Sequence, residues 1–86
     1  MATWYLYIAR CNDNSLYTGV TVDIERRISE HNSCNKKGAK YTRVRRPVTL
    51  EYQENCTSKQ QAYQREYQIK KLNRIQKEQL IQLSIT

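Results

Sequence analysis

The chain has 86 residues, of which 38% are hydrophobic, and its 15 Lys and Arg against 8 Asp and Glu give a net charge of +7. This length is enough for one small domain, predicted over residues 1–86, and too short for two. The positive charge indicates a polyanionic partner, nucleic acid first and an anionic membrane surface second, while no segment has the roughly 20 consecutive apolar residues of a membrane-spanning helix.

The first two predicted elements form a β-hairpin over residues 3–10 and 15–21, where apolar and polar side chains alternate on either side of a turn cluster at 12–14. A three-residue loop pairs Tyr7 with Gly19 and sorts the side chains onto two faces. The apolar face carries Trp4, Leu6, Ile8, Leu16 and Val20, and the other face carries Tyr5, Tyr7, Tyr17 and Gly19. Because glycine weakens a strand, Gly19 is expected to leave open space in front of Tyr7, as the floor of a site that a backbone or a phosphate approaches.

A helix is predicted next, over residues 23–32, with Asp23 as its N-cap. Arg27 and His31 lie one turn apart and flank its inward stripe. Such a pair is most often a solvated helix edge, and a lone histidine is more often structural than catalytic. A functional interpretation of these two residues therefore needs support from other segments.

Residues 36–46, KKGAKYTRVRR, contain six basic residues and no acid. We predict a loop here, with room for one short helical turn. Its cations suit nonspecific contacts to phosphates, and its tyrosine suits base stacking. The residues assigned to nucleic-acid binding are Lys36, Lys37, Lys40, Tyr41, Arg43, Arg45 and Arg46. A basic loop that serves only solubility is the less favoured alternative.

The remaining segments predict a strand over 48–54, a helix over about 59–72 and a weaker helix over 74–84. A capping box, Ser58-x-x-Gln61, opens the first of these helices, and a bend at 72–74 separates the two. The predicted fold class is α/β (α+β), a three-stranded and mostly antiparallel sheet with flanking helices.

Glu66 falls on the inward stripe of the helix over 59–72. A carboxylate in this position is costly unless it is paired or bound to a metal. An ion pair with Lys70 or Arg27 is one explanation. Coordination of a hard cation is the other, since Mg²⁺ often uses only one or two protein carboxylates.

Three cysteines, Cys11, Cys34 and Cys56, are odd in number and have no C-x-x-C spacing, so neither a disulfide framework nor a zinc site is expected. Reduced thiols of this kind are typical of a cytosolic protein. The N-terminal stretch MATWYLYIARC has no basic segment before its short apolar run and is not expected to be a signal peptide. We therefore predict a cytoplasmic protein.

Taken together, these residues resemble the GIY-YIG nuclease superfamily, most closely its small stand-alone bacterial members and the N-terminal domain of the excision-repair nuclease UvrC. The matching positions are Tyr5-Leu6-Tyr7 for GIY, Tyr17-Thr18-Gly19 for YIG, then Arg27, His31 and Glu66. The resemblance runs from Trp4 to about Leu80. The first motif lacks its glycine and the interval between the motifs is slightly short. Glu78 stands where many relatives carry an asparagine, and Asn73 falls too early to replace it.

The resemblance implies a chemistry for the site. One divalent ion, Mg²⁺ or Mn²⁺, would be held by Glu66, polarise the phosphate and stabilise the leaving 3′ oxygen. Arg27 would bind phosphoryl oxygens. Tyr7 would act as base with Tyr17 as its hydrogen-bonded partner, or the reverse, provided that nearby cations lower a phenol pKa of about 10. His31 would relay a proton or bind phosphate.

Three functions are consistent with the sequence. The leading one is a metal-dependent endonuclease that acts on DNA with low sequence specificity, with a role in repair only by analogy to UvrC. The second is a nucleic-acid-binding protein of the same fold with weak or no cleavage. The third is a basic adaptor that docks on an acidic partner protein.

Overall fold

An antiparallel sheet of three strands lies at the centre of the fold. The structure is a computed structural model that describes residues 3–85, so residues 1, 2 and 86 of the predicted domain lie outside the described residues. Strand β1 (Trp4–Arg10) is central, with β2 (Leu16–Thr21) on one side and β3 (Thr49–Cys56) on the other. Within residues 3–85, β2 is therefore an edge strand with one neighbour.

Four helices accompany the sheet. They are α1 (Ile24–Ser33), α2 (Lys40–Arg43), α3 (Lys59–Lys70) and α4 (Arg74–Ile85). Helix α2 is the single short turn allowed for in the basic segment. Across residues 3–85, none of the helices combines the length and the apolar character that crossing a bilayer requires. The predicted fold class is confirmed.

The register of the hairpin is the one that the sequence predicts. Tyr7 pairs with Gly19 and Leu6 with Val20, across the loop that begins after Cys11. The reason is the alternation of side chains, because a shift by one residue would turn every apolar side chain to the wrong face. Strand β3 extends two residues beyond its predicted end, to Cys56, which is buried in the core.

Two buried clusters fix the helices on opposite faces of the sheet. The first contains Leu6, Ile8, Cys56, Ala62, Ile69 and Ile81, and the second contains Tyr7, Ala9, Cys11 and Val48. Because Ala62 and Ile69 belong to α3 and Ile81 to α4, these two helices cover the apolar face. Ile24 and Ile28 of α1 pack on the second cluster, so α1 covers the tyrosine face.

Side-chain caps define where α3 and α4 begin. Ser58 Oγ accepts a hydrogen bond from the Gln61 N–H at 3.1 Å, but Gln61 Oε1 accepts from the N–H of Thr57 rather than of Ser58, so only half of the predicted capping box forms. A complete box occurs at the bend. Asn73 Oδ1 accepts from the Gln76 N–H at 2.9 Å, and Gln76 Oε1 accepts from the Asn73 N–H at 3.0 Å. Asn73 is therefore a helix cap.

Arg10 joins helix α4 to the sheet. Its Nη2 donates to Glu78 Oε1 at 2.6 Å and its Nε donates to Glu51 Oε1 at 3.0 Å. Arg74 also donates to Glu78, at 3.1 Å. These hydrogen bonds, above all those from Arg10, lower the pKa of Glu78 to about 2. Glu78 thus has a structural contact at the position where the resemblance drawn from the sequence leads us to expect an asparagine.

The Arg10–Glu78 contact predicts a pH-dependent contribution to stability. We expect Glu78→Gln to lower the free energy of unfolding by about 1 kcal/mol at pH 7, a modest value because the pair is partly exposed. Since the folded pKa of Glu78 lies below its ordinary value, the loss should shrink as the pH falls below about 4.5. Urea unfolding at several pH values measures it. Exposed Glu25 offers the control Glu25→Gln, and equal stability of the two variants would contradict the prediction.

Candidate functional site

The Tyr7 side chain crosses the edge strand at Gly19. A Cβ placed on Gly19 would lie 2.5 Å from Tyr7 Oη and 2.7 Å from Tyr7 Cζ, so an alanine cannot be accommodated without movement. Gly19 does not have a positive φ, so its backbone conformation does not require a glycine. The close approach of the Tyr7 ring alone explains why this position has no side chain. The expectation of open space in front of Tyr7 is wrong, because the Tyr7 ring itself occupies that space.

His31 lies beneath the Tyr7 hydroxyl and is 0% exposed. Its Nε2 is 2.7 Å from Tyr7 Oη and its Nδ1 is 2.9 Å from Thr42 Oγ1. The Thr42 hydroxyl donates to the Ala39 carbonyl at 2.9 Å, so it accepts from Nδ1–H and leaves Nε2 to accept from Tyr7. The Ala39 N–H lies 3.3 Å from the same Nδ1 and would favour the other tautomer, so we assign the tautomer from the shorter contacts.

Burial keeps His31 neutral. Loss of hydration, together with the nearby charge of Arg27, lowers its pKa to about 4. At neutral pH the imidazole is an uncharged acceptor for the Tyr7 hydroxyl. Both ring nitrogens of His31 are hydrogen-bonded and none of its surface is exposed. The expectations that His31 lies on a solvated helix edge or binds phosphate are therefore wrong.

Tyr17 is the more accessible of the two phenols. Its ring meets His31 edge-on at 5.2 Å between centroids and lies 6.3 Å from the Tyr7 ring. The predicted hydrogen bond between the phenols is not found among the described residues, because the Tyr7 hydroxyl bonds to His31 instead. On its other side the Tyr17 ring stacks on Tyr41 at 6.1 Å. Tyr17 therefore connects the buried core of the site with its outer rim.

The electrostatic setting of Tyr7 differs from the expectation. Burial raises the pKa of Tyr7 well above its ordinary value, and the Tyr17 and Glu66 charges raise it further. The Arg27 guanidinium acts in the opposite direction without overcoming them. A nearby cation, Arg27, thus lowers the Tyr7 pKa as expected, but burial outweighs this effect, and Tyr7 is a protonated phenol in the protein without bound ligands.

Arg27 lies at the edge of the core with its side chain 24% exposed. Its Nη1 donates to Glu30 Oε1 at 3.2 Å and to the Lys37 carbonyl. These contacts join α1 to the basic segment. They also hold the Arg27 guanidinium near the Tyr7 hydroxyl, where its charge partly offsets the rise in the Tyr7 pKa that burial causes. Arg27 is thus fixed in place while part of its charged group faces solvent.

Glu66 approaches from α3, which packs on the opposite face of the sheet. Its side chain is 19% exposed, and Lys70 Nζ lies 3.7 Å from its Oε1, so the predicted ion pair is with Lys70 and not with Arg27. Glu66 influences Tyr7 through its charge. Within residues 3–85 no group of three or more His, Cys, Asp or Glu forms a metal cluster. A hard cation on Glu66 would take most ligands from water and substrate, as Mg²⁺ commonly does.

The basic segment is held to the body of the protein by two of its arginines. Arg45 Nε donates to Asp13 Oδ2 at 3.0 Å, and Arg46 Nε donates to the His31 carbonyl at 2.6 Å. The Arg45 guanidinium also lies 4.0 Å from the centre of the Tyr41 ring. Tyr41 therefore contacts both Arg45 and Tyr17, and 40% of its surface stays exposed. The cations that remain exposed are Lys36, Lys37, Lys40 and Arg43.

Two residues of the site were missed at the level of sequence. Thr42 is fully buried and orients His31, yet nothing in the stretch KYTR distinguishes it. Gly38 did carry a signal, as one of only two glycines. A Cβ at Gly38 would lie 2.7 Å from the Glu30 carbonyl oxygen, so the glycine lets the basic segment pack against α1.

The family is decided by comparison with known proteins. The GIY-YIG catalytic domain family matches residues 3–79. The chain belongs to the GIY-YIG family. Similar proteins include a UPF0213 protein from Staphylococcus haemolyticus, 55% identical over 95% of this chain and 98% of the relative, and one from Desulfotalea psychrophila, 52% identical over 94% of this chain and 73% of the relative.

Two solution NMR structures resemble this GIY-YIG domain. The UPF0213 protein of Bacillus halodurans has a TM-score of 0.60 at 47% identity, covering 94% of this chain and 84% of that one. A protein from E. faecalis has a TM-score of 0.64 at 34% identity, covering 100% of this chain and 91% of that one. The resemblance drawn from the sequence is confirmed. A GIY-YIG domain belongs to a nuclease-like family, which implies binding to nucleic acid.

Proposed function

We propose that this GIY-YIG domain is a metal-dependent endonuclease that hydrolyses phosphodiester bonds in DNA with low sequence specificity. The observation that carries the proposal is the hydrogen-bonded chain from Tyr7 through neutral His31 to Thr42, with Arg27 beside it and the charge of Glu66 acting on the same phenol. Such a chain gives the phenol a fixed orientation and a neighbouring base, and general acid–base catalysis needs both.

Arg27 and Glu66 would supply the charges that phosphodiester hydrolysis needs. Arg27 is permanently protonated and forked, so its exposed part suits the phosphoryl oxygens. Glu66 offers hard oxygen ligands for Mg²⁺ or Mn²⁺. Its side chain is partly exposed to solvent and lies near enough to Tyr7 for its charge to act on the phenol, which fits a metal site with a single carboxylate. A bound divalent ion would neutralise charge on the phosphate and on the leaving 3′ oxygen.

The Tyr7–His31 hydrogen bond defines a path for a proton. With the assigned tautomer, the Tyr7 hydroxyl donates to His31 Nε2 and accepts from the neighbouring Arg27, which leaves one lone pair of its oxygen to accept from a water molecule. As the water attacks, its proton passes to Tyr7 while the Tyr7 proton passes to His31. Neutralising the Glu66 carboxylate would remove one of the charges that raise the Tyr7 pKa. Tyr17 lies at the rim, where it would contact the incoming strand.

Nucleic-acid binding with weak or no cleavage is the second candidate. The observation that favours it is the burial of Tyr7, which is 1% exposed and whose pKa is raised. In addition, the Glu78 carboxylate is engaged by Arg10 and Arg74 and cannot replace the amide that the resemblance to the family leads us to expect there. The basic surface would persist in such a protein, and only the chemistry would be lost.

Nicking of supercoiled plasmid in the presence of Mg²⁺ or Mn²⁺ tests the proposal. We expect Glu66→Gln to reduce nicking to background with folding intact, because the variant keeps the shape of the side chain and removes the charge that would hold the cation. Glu25→Gln is the matched control and should nick like the wild type. Nicking by Glu66→Gln at the wild-type rate would show that the site is misassigned. Salt-dependent binding without nicking by the wild type would favour the second candidate.

A further inference from the structure

A separate cleft of about 250 Å³ opens along the edge strand β2. Its lining residues are Leu16, Tyr17, Thr18, Tyr41, Lys70 and Lys77. The cleft adjoins the proposed catalytic site at two points. Tyr17 belongs to both, and Lys70 is paired with Glu66. Any group bound in this cleft would therefore lie next to the phosphodiester that the proposed function cleaves.

Lys77 brings a positive charge without a matching negative one. It is half-buried on α4, and no carboxylate lies within ion-pair distance of its ammonium group in the part of the chain that the structure describes. The neighbouring Glu78 is engaged by Arg10 and Arg74. A cation in the wall of a cleft with no counter-charge of its own favours the binding of an anion.

Thr18 gives a second and independent indication. The residue is 4% exposed, and its Oγ1 is buried without a hydrogen-bond partner among the described residues. An unpartnered hydroxyl of this kind costs free energy and is rare in folded proteins. Its presence in the wall of the same cleft as two lysines indicates a ligand with oxygen acceptors.

We propose that Thr18, Lys70 and Lys77 form a subsite for a backbone phosphate of the bound nucleic acid, next to the phosphate that is cleaved. The inference rests on the proposed function for the position of the substrate. Leu16 and the ring of Tyr41 give the cleft an apolar wall against which a sugar can pack. This wall and the open edge of β2 favour a phosphate within a strand over a free phosphate ion.

A binding experiment without divalent metal tests the subsite. Fluorescence anisotropy of labelled single-stranded and duplex DNA in EDTA, over a range of salt concentrations, gives the affinity and its salt slope. Removing one phosphate contact with Lys77→Gln should reduce the magnitude of the slope by about one. Lys71→Gln removes the same charge from the exposed Lys71, which lies over the Tyr67 ring, and should leave the slope unchanged. Equal slopes for the two variants would overturn the proposal.

The variant Thr18→Val distinguishes an effect on DNA binding from an effect on folding. The variant keeps the shape of the side chain and removes the unpartnered hydroxyl, so its resistance to urea should equal or exceed that of the wild type while its affinity for DNA falls. Unchanged affinity for DNA would overturn the proposal. A second result would also overturn the proposal. If inorganic phosphate, at constant ionic strength, weakens DNA binding by as much as the loss of Lys77 does, the cleft is a site for free anions.

The outcome does not depend on cleavage, because the binding experiment contains no divalent metal. A loss of slope in Lys77→Gln, together with plasmid nicking that survives Glu66→Gln, would support the subsite and reject the catalytic assignment. The opposite pair of results would reject the subsite and leave the nuclease proposal standing. Absence of DNA binding by the wild type would reject both.

Discussion

Replacing Gly19 by alanine is expected to destabilise the protein by about 2 kcal/mol and to displace the Tyr7 phenol from its position on His31. The new methyl group would lie 2.5 Å from Tyr7 Oη, well inside van der Waals contact, and Tyr7 is too deeply buried to move freely. Urea unfolding measures the first effect. Plasmid nicking measures the second, because a displaced phenol would lose its hydrogen bond to His31 and with it the proton path.

A double-mutant cycle identifies the cause of that loss. In a Tyr7→Leu background the clash is removed, so Gly19→Ala should cost less than about 0.5 kcal/mol, or even stabilise the strand, since alanine loses less backbone entropy than glycine on folding. The same cost in both backgrounds would show that Gly19 serves something other than the approach of Tyr7.

His31→Gln is expected to lose about 2 kcal/mol of stability at pH 7 and almost none at pH 4.5. The pKa of His31 falls from an ordinary 6.5 to about 4 on folding, so between these values the unfolded chain binds the proton and the native state does not. Wild-type stability should therefore decrease by about 2 kcal/mol as the pH falls from 7 to 4.5, each pKa unit being worth about 1.4 kcal/mol. Glutamine cannot be protonated and should not share this decrease.

The comparison of the two proteins isolates His31. Carboxylates with lowered pKa values, such as Glu78 and Asp13, also affect stability at low pH, but they are common to the wild type and the variant. The difference in unfolding free energy between the two proteins, followed by urea titration at each pH, therefore reports on the one histidine of the sequence. A difference that stays constant from pH 7 to 4.5 would show that His31 is not held neutral by the fold.

The parts of the site that could be predicted are those fixed by local pattern. Alternation along the hairpin and the length of its turn determine that Tyr7 faces Gly19, and the helical period determines that Arg27 and His31 share an edge. These rules state which face a residue occupies. They do not state how far a side chain reaches, so the ring of Tyr7 filling the space over Gly19 was not foreseen.

The contacts that could not be predicted depend on the path of the basic segment. Thr42 meets His31 only because the segment turns back over α1, and that path is set by the packing of Gly38 and by the hydrogen bonds of Arg45 and Arg46. Composition identifies a cluster of cations but does not indicate which of them bind the protein itself. Assigning Arg45 and Arg46 to nucleic acid therefore overlooked their contacts within the fold.

The solitary imidazole beneath Tyr7 also makes the protein convenient to study by spectroscopy. Since no other ring of this kind exists in the sequence, its NMR signals need no assignment strategy beyond isotope labelling. Its shielded position slows proton exchange with solvent, and each change at the neighbouring phenol should alter its chemical shifts. Adding metal ions or oligonucleotides while following the His31 signals, with one spectrum per addition, would reveal whether binding at the surface changes the environment of the buried imidazole.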